Sequence, residues 1–184
     1  VNSLNMVIDE GDFTFLIGPT GSGKTTLMRL IYFDIFPDTG LVKVNGYKST
    51  DVSKRKIPNV RKSIGMVFQD YKLLKDRNLF ENVALPLHVL GYSNKGIPDR
   101  VDEALDLVGL VGKEMHYPNE LSGGEQQRAS LARAIIKEPD LILADEPTGN
   151  LDPVASFELV RLLETIHETG TTILMASHNY NLIK

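Results

Sequence analysis

The chain has no cysteine among its 184 residues, and none of its apolar runs approaches the length of a membrane-spanning helix. The first absence excludes disulfides and thiol chemistry, and it fits a reducing compartment. The second argues against a helical membrane span, which needs about 20 predominantly apolar residues. No signal-peptide pattern is visible. Because the chain starts at Val1 rather than Met, we expect both ends to be trimmed.

An excess of basic residues is also lacking, since the formal net charge is −4. We therefore expect no nucleic-acid partner. The basic residues between Lys54 and Lys62 form a local cluster, which we interpret as a solvated face near a turn. Apolar content of 42% and charged content of 24% are ordinary for globular proteins and allow a sizeable core. The length suits one domain, or one domain with a subdomain.

Strands and helices alternate near both ends of the chain, and a mostly helical block from about Asp76 to Ile136 interrupts them. Continuous short apolar runs are typical of parallel strands that are covered on both faces. Their alternation with helices predicts an α/β fold with a mostly parallel sheet. The predicted strands are Gly11–Ile17, Leu41–Asn45, Ser63–Phe68, Leu141–Ala144 and Thr171–Ala176, and the predicted helices outside the block are Lys24–Phe33 and one that carries Leu159–Ile166 and ends near Gly170.

The stretch GPTGSGKTT satisfies the pattern G-x-x-x-x-G-K-[ST] between a predicted strand and a predicted helix. Its glycines let successive backbone N–H groups face one anion, and the helix start adds partial positive charge. Lys24 is predicted to reach the β- and γ-phosphates of a nucleotide, and the Thr25 hydroxyl to ligate Mg²⁺. The predicted nucleotide-binding residues of this P-loop are Gly18, Pro19, Thr20, Gly21, Ser22, Gly23, Lys24, Thr25 and Thr26.

Two adjacent carboxylates follow the apolar strand Leu141–Ala144. Asp145, at the strand tip facing the P-loop, is predicted to hold Mg²⁺ as well, usually through water. Because side chains alternate along an extended backbone, we expect Glu146 to point elsewhere, toward the attacking water. Glu146 is therefore the predicted general base or water-positioning group. Either acid alone could equally be a helix cap or a solvated turn residue.

The stretch LSGGEQQR contains a capping box, since Ser122 is followed three residues later by Glu125. A cap alone does not require the two glycines that follow Ser122. They leave the helix start without Cβ atoms, so that a phosphate can approach its N–H groups closely. The chain therefore carries two predicted anion-binding helix starts, one at Lys24 and one at Ser122.

GPTGSGKTT, Gln69, LSGGEQQR, LILADE, NLD and His178 together resemble the ATP-binding cassette (ABC) family, and they follow its order over most of the chain. The resemblance implies a P-loop NTPase (RecA-like) cassette with an antiparallel β subdomain. It also implies an ATPase that dimerises head to tail with a second copy of itself. The implied core with the β subdomain comprises residues 1–75 and 137–184, and the implied helical signature subdomain comprises residues 76–136.

The same resemblance implies roles for single residues. Ser122 and Gly124, with Gly123 between them, would contact the γ-phosphate bound by the other copy, and Asp152 would lie in the loop that crosses the interface. Gln69 would join the metal and the water and sense the partner. His178 would hydrogen-bond the γ-phosphate, which makes Glu146, Gln69 and His178 the catalytic set. The family's adenine-stacking aromatic residue would fall before Val1.

PTGNLD and the stretch Phe68–Leu87 resemble the branch of the family that drives four-helix membrane partners mechanically, and within it the branch that serves bacterial cell division. This implies a peripheral subunit on the cytoplasmic face of the plasma membrane, bound to an integral permease-like partner. A subunit of a lipoprotein-release or macrolide or peptide exporter remains an alternative. A DNA-repair or chromosome-organising ABC ATPase is disfavoured, because no heptad arms are present. Residues expected to line a groove for the membrane partner are Tyr71, Leu73, Leu74, Leu79 and Phe80.

Overall fold

The computed structural model describes residues 3–179, which form six strands and six α-helices. The strands are β1 Phe13–Ile17, β2 Lys43–Val44, β3 Tyr47–Lys48, β4 Ile64–Phe68, β5 Leu141–Asp145 and β6 Thr172–Ser177. The helices are α1 Lys24–Ile31, α2 Ile57–Lys62, α3 Leu79–Val89, α4 Ile97–Leu107, α5 Gly123–Ile135 and α6 Pro153–Glu168, with short 3₁₀ turns at Asn94–Gly96 and Pro118–Glu120.

Four parallel strands form the main sheet in the order β1-β6-β5-β4, so the predicted mostly parallel α/β sheet is confirmed. Because all four strands run the same way, their carboxyl ends meet at one edge of the sheet. The P-loop, Gln69, Glu146 and His178 each follow one of these ends directly. The topology therefore brings four predicted site segments together from distant parts of the sequence.

The central strands β5 and β6 are buried on both faces, as their apolar runs predict, whereas the edge strand β1 is half-buried. Along β5, Ile142 and Ala144 belong to one apolar cluster, whereas Leu141 and Leu143 belong to another. This alternation follows from the two-residue repeat of a strand. Helices α3 to α6 supply much of the first cluster, and α1 and α2 contribute to the second. Both helix layers thus hold the sheet edge that carries the site segments.

The helical block divides into three separate helices, α3, α4 and α5, rather than one continuous run. An asparagine caps α3, since the Asn78 side chain accepts from Glu81 N and the Glu81 carboxylate accepts from Asn78 N. The buried Asn82 amide ties α3 to the segment before it through Leu74. The proposed division of the chain into residues 1–75 with 137–184 and residues 76–136 stays a prediction.

β2 and β3 pair antiparallel around the turn Asn45-Gly46, where both residues have left-handed backbone angles, with φ of 46° and 81°. That turn is predicted from its dipeptide. β2 is shorter than the predicted strand Leu41–Asn45, because its only antiparallel partner is the two-residue β3. The short helix α2 is not predicted from the sequence. The longest described helix, α6, has 16 residues, and none in residues 3–179 is long and apolar enough to cross a bilayer.

Candidate functional site

The P-loop joins β1 to α1 and is tied to the neighbouring strand. Gly18 N donates to Ser177 O at 3.4 Å, which fixes the loop to the end of β6. Gly21 and Gly23 have φ of 82° and 96°, a region that favours glycine. No side chain caps the start of α1, so its N–H groups suit an anion. The other predicted loop residues, Pro19, Thr20, Ser22, Thr25 and Thr26, are exposed.

The Lys24 side chain is buried and turns back over the loop. Its ammonium donates to Gly18 O at 2.7 Å and to Pro19 O at 3.1 Å. The same nitrogen lies 3.1 Å from Glu146 Oε1. Burial of a charged lysine is tolerated only when it is paired and hydrogen-bonded, as it is here. The structure therefore places the predicted phosphate-binding cation and the predicted catalytic carboxylate in direct contact.

Thr25 and Asp145 form a pair of oxygen ligands at the start of α1 and the end of β5. The Thr25 hydroxyl donates to Asp145 Oδ1 at 3.1 Å. Burial raises the pKa of Asp145, and the hydrogen bond from Thr25 partly opposes that rise. Within residues 3–179 no cluster of three or more His, Cys, Asp or Glu side chains could hold a metal by itself. Mg²⁺ commonly takes one or two protein oxygens and fills its shell with phosphate and water, so this pair fits it.

Glu146 lies on a left-handed turn rather than on extended backbone, with φ of 48°. The expected alternation of side chains along an extended backbone therefore does not apply to Glu146. The turn after β5, rather than the strand, sets the direction of its side chain. Its carboxylate bridges Lys24 and His178, whose Nδ1 lies 2.8 Å from Oε2. Burial favours a higher pKa for Glu146, but the hydrogen bonds from His178 and Lys24 outweigh it and hold the pKa below its ordinary value. A non-glycine residue in this region stores backbone strain, which is common at functional sites.

Gln69 follows β4 and packs beside the turn that carries Glu146. The backbone carbonyl of Gln69 accepts a hydrogen bond from Asn150 Nδ2 at 3.0 Å. A Cβ atom on Gly149 would lie only 2.8 Å from Gln69 Nε2, so the Gln69 side chain packs closely against this glycine. In the described part of the chain, no hydrogen bond joins the Gln69 side chain to Asp145 or Glu146. The structure thus places Gln69 near the cluster without a direct bond to it.

A second cluster, which we term the signature cluster, contains Ser122, Gly123, Gly124 and Asp152. It lies at a cleft of about 400 Å³, which we term the signature cleft. The capping box predicted at Ser122 is present, since its hydroxyl accepts from Glu125 N and the Glu125 carboxylate accepts from Ser122 N. Helices α5 and α6 both begin at this cleft. Among the described residues its lining is Ser122, Gly123, Gly124, Arg128, Asn150, Leu151, Asp152, Val154, Ala155 and Glu158, with no residue of the P-loop.

Asp152 caps α6, because its Oδ1 accepts from Val154 N at 2.8 Å and from Ala155 N at 3.0 Å. The carboxylate is thus committed to the helix start within one chain. Pro153 occupies the first helical position, where its missing N–H costs nothing. In a single copy Asp152 is a helix cap beside this cleft.

Lys113 contacts Glu125 next to the signature cluster, and the sequence alone does not predict this contact. Its ammonium makes a short contact with Glu125 Oε1. That hydrogen bond, reinforced by the one from Ser122 N, lowers the pKa of Glu125 to about 2. Asn150 is also missed, although it stands inside the NLD motif and could have been noticed there. Lys113 has no such signal, because only the fold brings it to the start of α5.

The predicted groove for a membrane partner is wrong at Leu79, which is 1% exposed and packs in the main core as the first residue of α3. Leu73 and Phe80 also pack against that core. Leu74, at 41% exposed, is the only one of the five predicted residues that is exposed. The partly exposed Tyr71 packs toward Gly123.

Comparison with known proteins bears directly on this arrangement. The sequence model of the ABC transporter family matches residues 1–149. The cell division ATP-binding protein FtsE of Streptococcus pneumoniae is 46% identical over 183 residues, which is 100% of this chain and 80% of that protein. The protein of the same name from Escherichia coli is 47% identical over 176 residues, or 96% of this chain and 79% of that one.

Solved structures agree with the sequence relatives. A dimeric ATP-binding cassette, MJ0796, in a post-hydrolysis state bound to ADP and Pi, superposes with a TM-score of 0.88 at 35% identity. It covers 97% of this chain and 80% of that one. The predicted cassette fold and the resemblance to the cell-division branch are therefore confirmed. The chain belongs to the ATP-binding cassette family of ABC transporter ATPases, and the relatives described above carry the name FtsE.

Proposed function

We propose that two copies of this ABC ATPase enclose ATP head to tail, each nucleotide lying between the P-loop of one copy and the Ser122–Gly124 segment of the other. One observation carries the proposal: the signature cleft of a single chain has no P-loop residue in its described lining. Each chain thus holds two incomplete phosphate sites. The dimeric cassette bound to ADP and Pi supports the same assembly by similarity.

In this proposal the P-loop cluster performs the chemistry. The triphosphate competes for the Lys24 ammonium, which now contacts two loop carbonyls and Glu146. Glu146 then orients the attacking water and accepts its proton, and its lowered pKa keeps it ionised for that task at neutral pH. His178, hydrogen-bonded to Glu146, holds that carboxylate and lies where it can also donate to the γ-phosphate.

Mg²⁺ fits the oxygen pair of Thr25 and Asp145, and Gln69 stands beside the turn that carries Glu146. When bound, Mg²⁺ would offset the negative charge that develops on the phosphates during phosphoryl transfer. Thr25 and Asp145 would hold it, Asp145 through water. Gln69 would complete the site from the segment after β4.

Ser122 and the bare N–H groups of Gly123 and Gly124 supply the second half of each site. A helix start without Cβ atoms lets a phosphate oxygen come close to backbone donors. Asp152 lies at the same cleft and keeps α6 capped there. This half adds hydrogen-bond donors to the γ-phosphate but no acid or base, so it completes binding and closes the dimer.

We further propose that the cycle drives an integral membrane partner, an FtsX-like permease subunit, during bacterial cell division. Similarity to FtsE over the whole chain supports this. The chain would then work as a peripheral subunit on the cytoplasmic face of the plasma membrane. Co-purification from detergent-solubilised membranes tests it: capture of a four-span protein without a transport pocket is expected. Capture of a lipoprotein-release or macrolide transporter would favour the exporter alternative.

The Glu146→Gln variant tests the ATPase dimer. We expect turnover to fall by about 10²–10⁴-fold, the usual contribution of a general base. ATP binding is retained, because Lys24 and the P-loop are unchanged, so the ATP-loaded dimer accumulates. Phosphate release and size-exclusion chromatography with light scattering report the two effects. Retained turnover, or a variant that stays monomeric with saturating ATP, contradicts the proposal.

A further inference from the structure

Residues 41–62, which contain the β2–β3 hairpin and α2, differ in charge from the rest of the chain. They carry seven of the 20 basic residues but only one of the 24 acidic residues, Asp51. The remainder of the chain is therefore strongly acidic. The net charge of −4 is the sum of two regions of opposite sign, and the basic one is continuous in sequence.

Six of these basic side chains are exposed on the outer side of an apolar cluster. Val44 is buried in that cluster and Tyr47 packs against it. Because side chains alternate along a strand, their neighbours Lys43 and Lys48 point to the opposite face of the hairpin. The segment after β3 and α2 cover the same cluster with their own apolar residues. We term the exposed set the basic patch, which consists of Lys43, Lys48, Lys54, Arg55, Lys56 and Lys62.

The side chains of the basic patch have no acidic partners. Within residues 3–179, none of their charged nitrogens lies within 4.0 Å of a carboxylate oxygen. The one acid of the region, Asp51, instead accepts from the Thr50 hydroxyl at 2.7 Å. Exposed cations elsewhere do form pairs, as Arg77 does with Glu81. The basic patch therefore presents positive charge that the fold leaves unbalanced.

Two lysines of the basic patch stand directly opposite each other. Lys43 of β2 pairs in register with Lys48 of β3. Like charges at opposite positions of an antiparallel pair destabilise it. An anion lying over both ammonium groups relieves this repulsion, because each attraction offsets part of it. The outer face of the hairpin therefore favours an anionic partner.

The basic patch lies toward the amino ends of the sheet strands, away from the P-loop. α2 ends at Lys62, just before β4 begins. The hairpin turn is tied to the same edge, since Asn45 Nδ2 donates to Ser63 Oγ at 2.8 Å and to Asp140 Oδ2 at 3.3 Å, directly before β4 and β5. The proposed dimer joins the edge formed by the carboxyl ends. It therefore leaves the basic patch uncovered.

We propose that the basic patch binds anionic lipid headgroups at the surface of a membrane. A basic cluster of this size is attracted to an anionic leaflet, and each side chain near the surface raises affinity about fivefold. This inference goes beyond the proposed ATPase dimer and does not depend on it. It gives the chain a contact with the lipid itself, in addition to the proposed membrane partner.

The composition of the basic patch favours lipid over nucleic acid. Five of its six side chains are lysines, which act as hydrated point charges, whereas bases are read best by the bidentate fork of arginine. Tyr47, the only aromatic residue in residues 41–62, packs against the apolar cluster. No ring of this region is therefore available to stack on a base.

Lys54→Gln, Arg55→Gln and Lys56→Gln, combined in one chain, test the basic patch by co-sedimentation with vesicles. The vesicles are phosphatidylcholine with about one third phosphatidylglycerol, which gives an anionic surface. Wild type should bind them, and the triple variant should bind about 100-fold more weakly, from about fivefold for each charge removed. Raising the salt from about 0.15 M to about 1 M should release wild type, because the screening length falls from about 8 Å to about 3 Å.

Lys75→Gln, Lys95→Gln and Arg161→Gln, combined, are the matched control. These side chains are exposed, lie outside the basic patch and are again two lysines and one arginine. The control loses the same net charge but should keep vesicle binding within about threefold of wild type, because screening limits the reach of distant charges.

Lys43→Gln combined with Lys48→Gln separates lipid binding from folding. Removal of two charges should weaken vesicle binding about 25-fold. The same change removes the like-charge pair of the hairpin, so thermal unfolding should occur at an equal or higher temperature than in wild type. A variant that merely damages the fold would instead unfold at a lower temperature.

Three other results would overturn the lipid contact. The first is equal weakening by the two triple variants, which would assign binding to net charge. The second is no preference of wild type for the anionic vesicles over phosphatidylcholine alone. The third is tighter binding to duplex DNA at the same phosphate concentration, which would identify a nucleic-acid surface. Vesicle binding is measured without nucleotide, and dimerisation of Glu146→Gln without vesicles, so the failure of either proposal is distinguishable from that of the other.

Discussion

The two half-sites that we propose for the phosphates of ATP differ in the chemical groups that they contain. In the P-loop half, Glu146 contacts a buried lysine and a histidine, and the adjacent Asp145 pairs with Thr25. The signature half contains a serine, two glycines and two capped helix starts. The charges of the P-loop half include a carboxylate that can accept a proton, whereas the charges of the signature half, Glu125 with Lys113, support a helix cap, and its backbone N–H groups can only bind. In the proposed dimer, chemistry therefore belongs to the first half and assembly to the second.

Lys24→Ala should give the largest effect and break the P-loop half. It removes charge-assisted hydrogen bonds to the phosphates, so nucleotide affinity of the monomer should fall by about 100-fold or more. Isothermal titration with a non-hydrolysable ATP analogue measures this. Lys113→Ala is the control, because that ammonium contacts Glu125 at the signature half and should leave monomer affinity unchanged. Similar losses in both variants would erase the distinction between the halves.

Ser122→Ala should separate assembly from binding. It removes the cap of α5 and a hydroxyl donor from the signature cleft, so ATP-driven dimerisation of the Glu146→Gln variant should weaken by about tenfold. Monomer affinity for ATP should stay the same. Sedimentation velocity at graded ATP concentrations gives the first quantity and titration gives the second. A loss of monomer affinity would place Ser122 in the P-loop half of its own chain.

Glu125→Gln should reveal the electrostatic part of the signature half. Glutamine can keep the capping-box bond to Ser122 N but loses the charge that pairs with Lys113, so unfolding free energy should fall by about 1 kcal/mol. The pKa of Glu125 in the folded chain, about 2, lies below its ordinary value of 4.5. Its stabilisation is therefore complete above about pH 4.5 and is lost as the pH falls toward 2.

Urea unfolding of both proteins at pH 7, 5 and 3.5 checks this prediction. The difference between wild type and Glu125→Gln should be constant from pH 7 to 5 and smaller at pH 3.5. A stability difference that grows as the pH falls would mean that the ionised Glu125 carboxylate does not stabilise the folded chain through Lys113.

Asp152→Asn should give the smallest effect. Asparagine caps helices about as well as aspartate, so the variant should unfold within about 0.3 kcal/mol of wild type. Asp152→Ala should cost about 1 kcal/mol, because the N–H groups of Val154 and Ala155 lose their acceptor. Urea unfolding compares the three proteins. Equal stability of wild type and Asp152→Ala would mean that water replaces the cap fully.

The two halves also differ in how far the sequence predicts them. β5 and the position of Asp145 follow from an apolar run that ends in an acid, because covered parallel strands have that pattern. The left-handed turn at Glu146 cannot be predicted from the sequence, because neither a glutamate nor its neighbours indicate a positive φ. It is dictated by tertiary contacts, with Glu146 N donating to Ala176 O of β6.

The sequence does not predict the helix α2 or the contact between Lys113 and Glu125, and the reasons are related. Ile57–Lys62 is short, contains Pro58 and is rich in basic residues, so it shows too few turns for a helical repeat to be visible. Lys113 meets Glu125 only because the turn at Pro118–Glu120 brings the end of the preceding loop to α5. Sequence spacing predicts contacts within a helix or strand, but it cannot predict one made across such a turn.

Side chains of α5 and of the NLD motif donate hydrogen bonds to main-chain oxygens of residues 68–72. A peptide carbonyl is the same in every amino acid. The side chains at 70 and 72 can therefore diverge, or be exchanged by design, while the attachment of this segment to α5 survives unaltered.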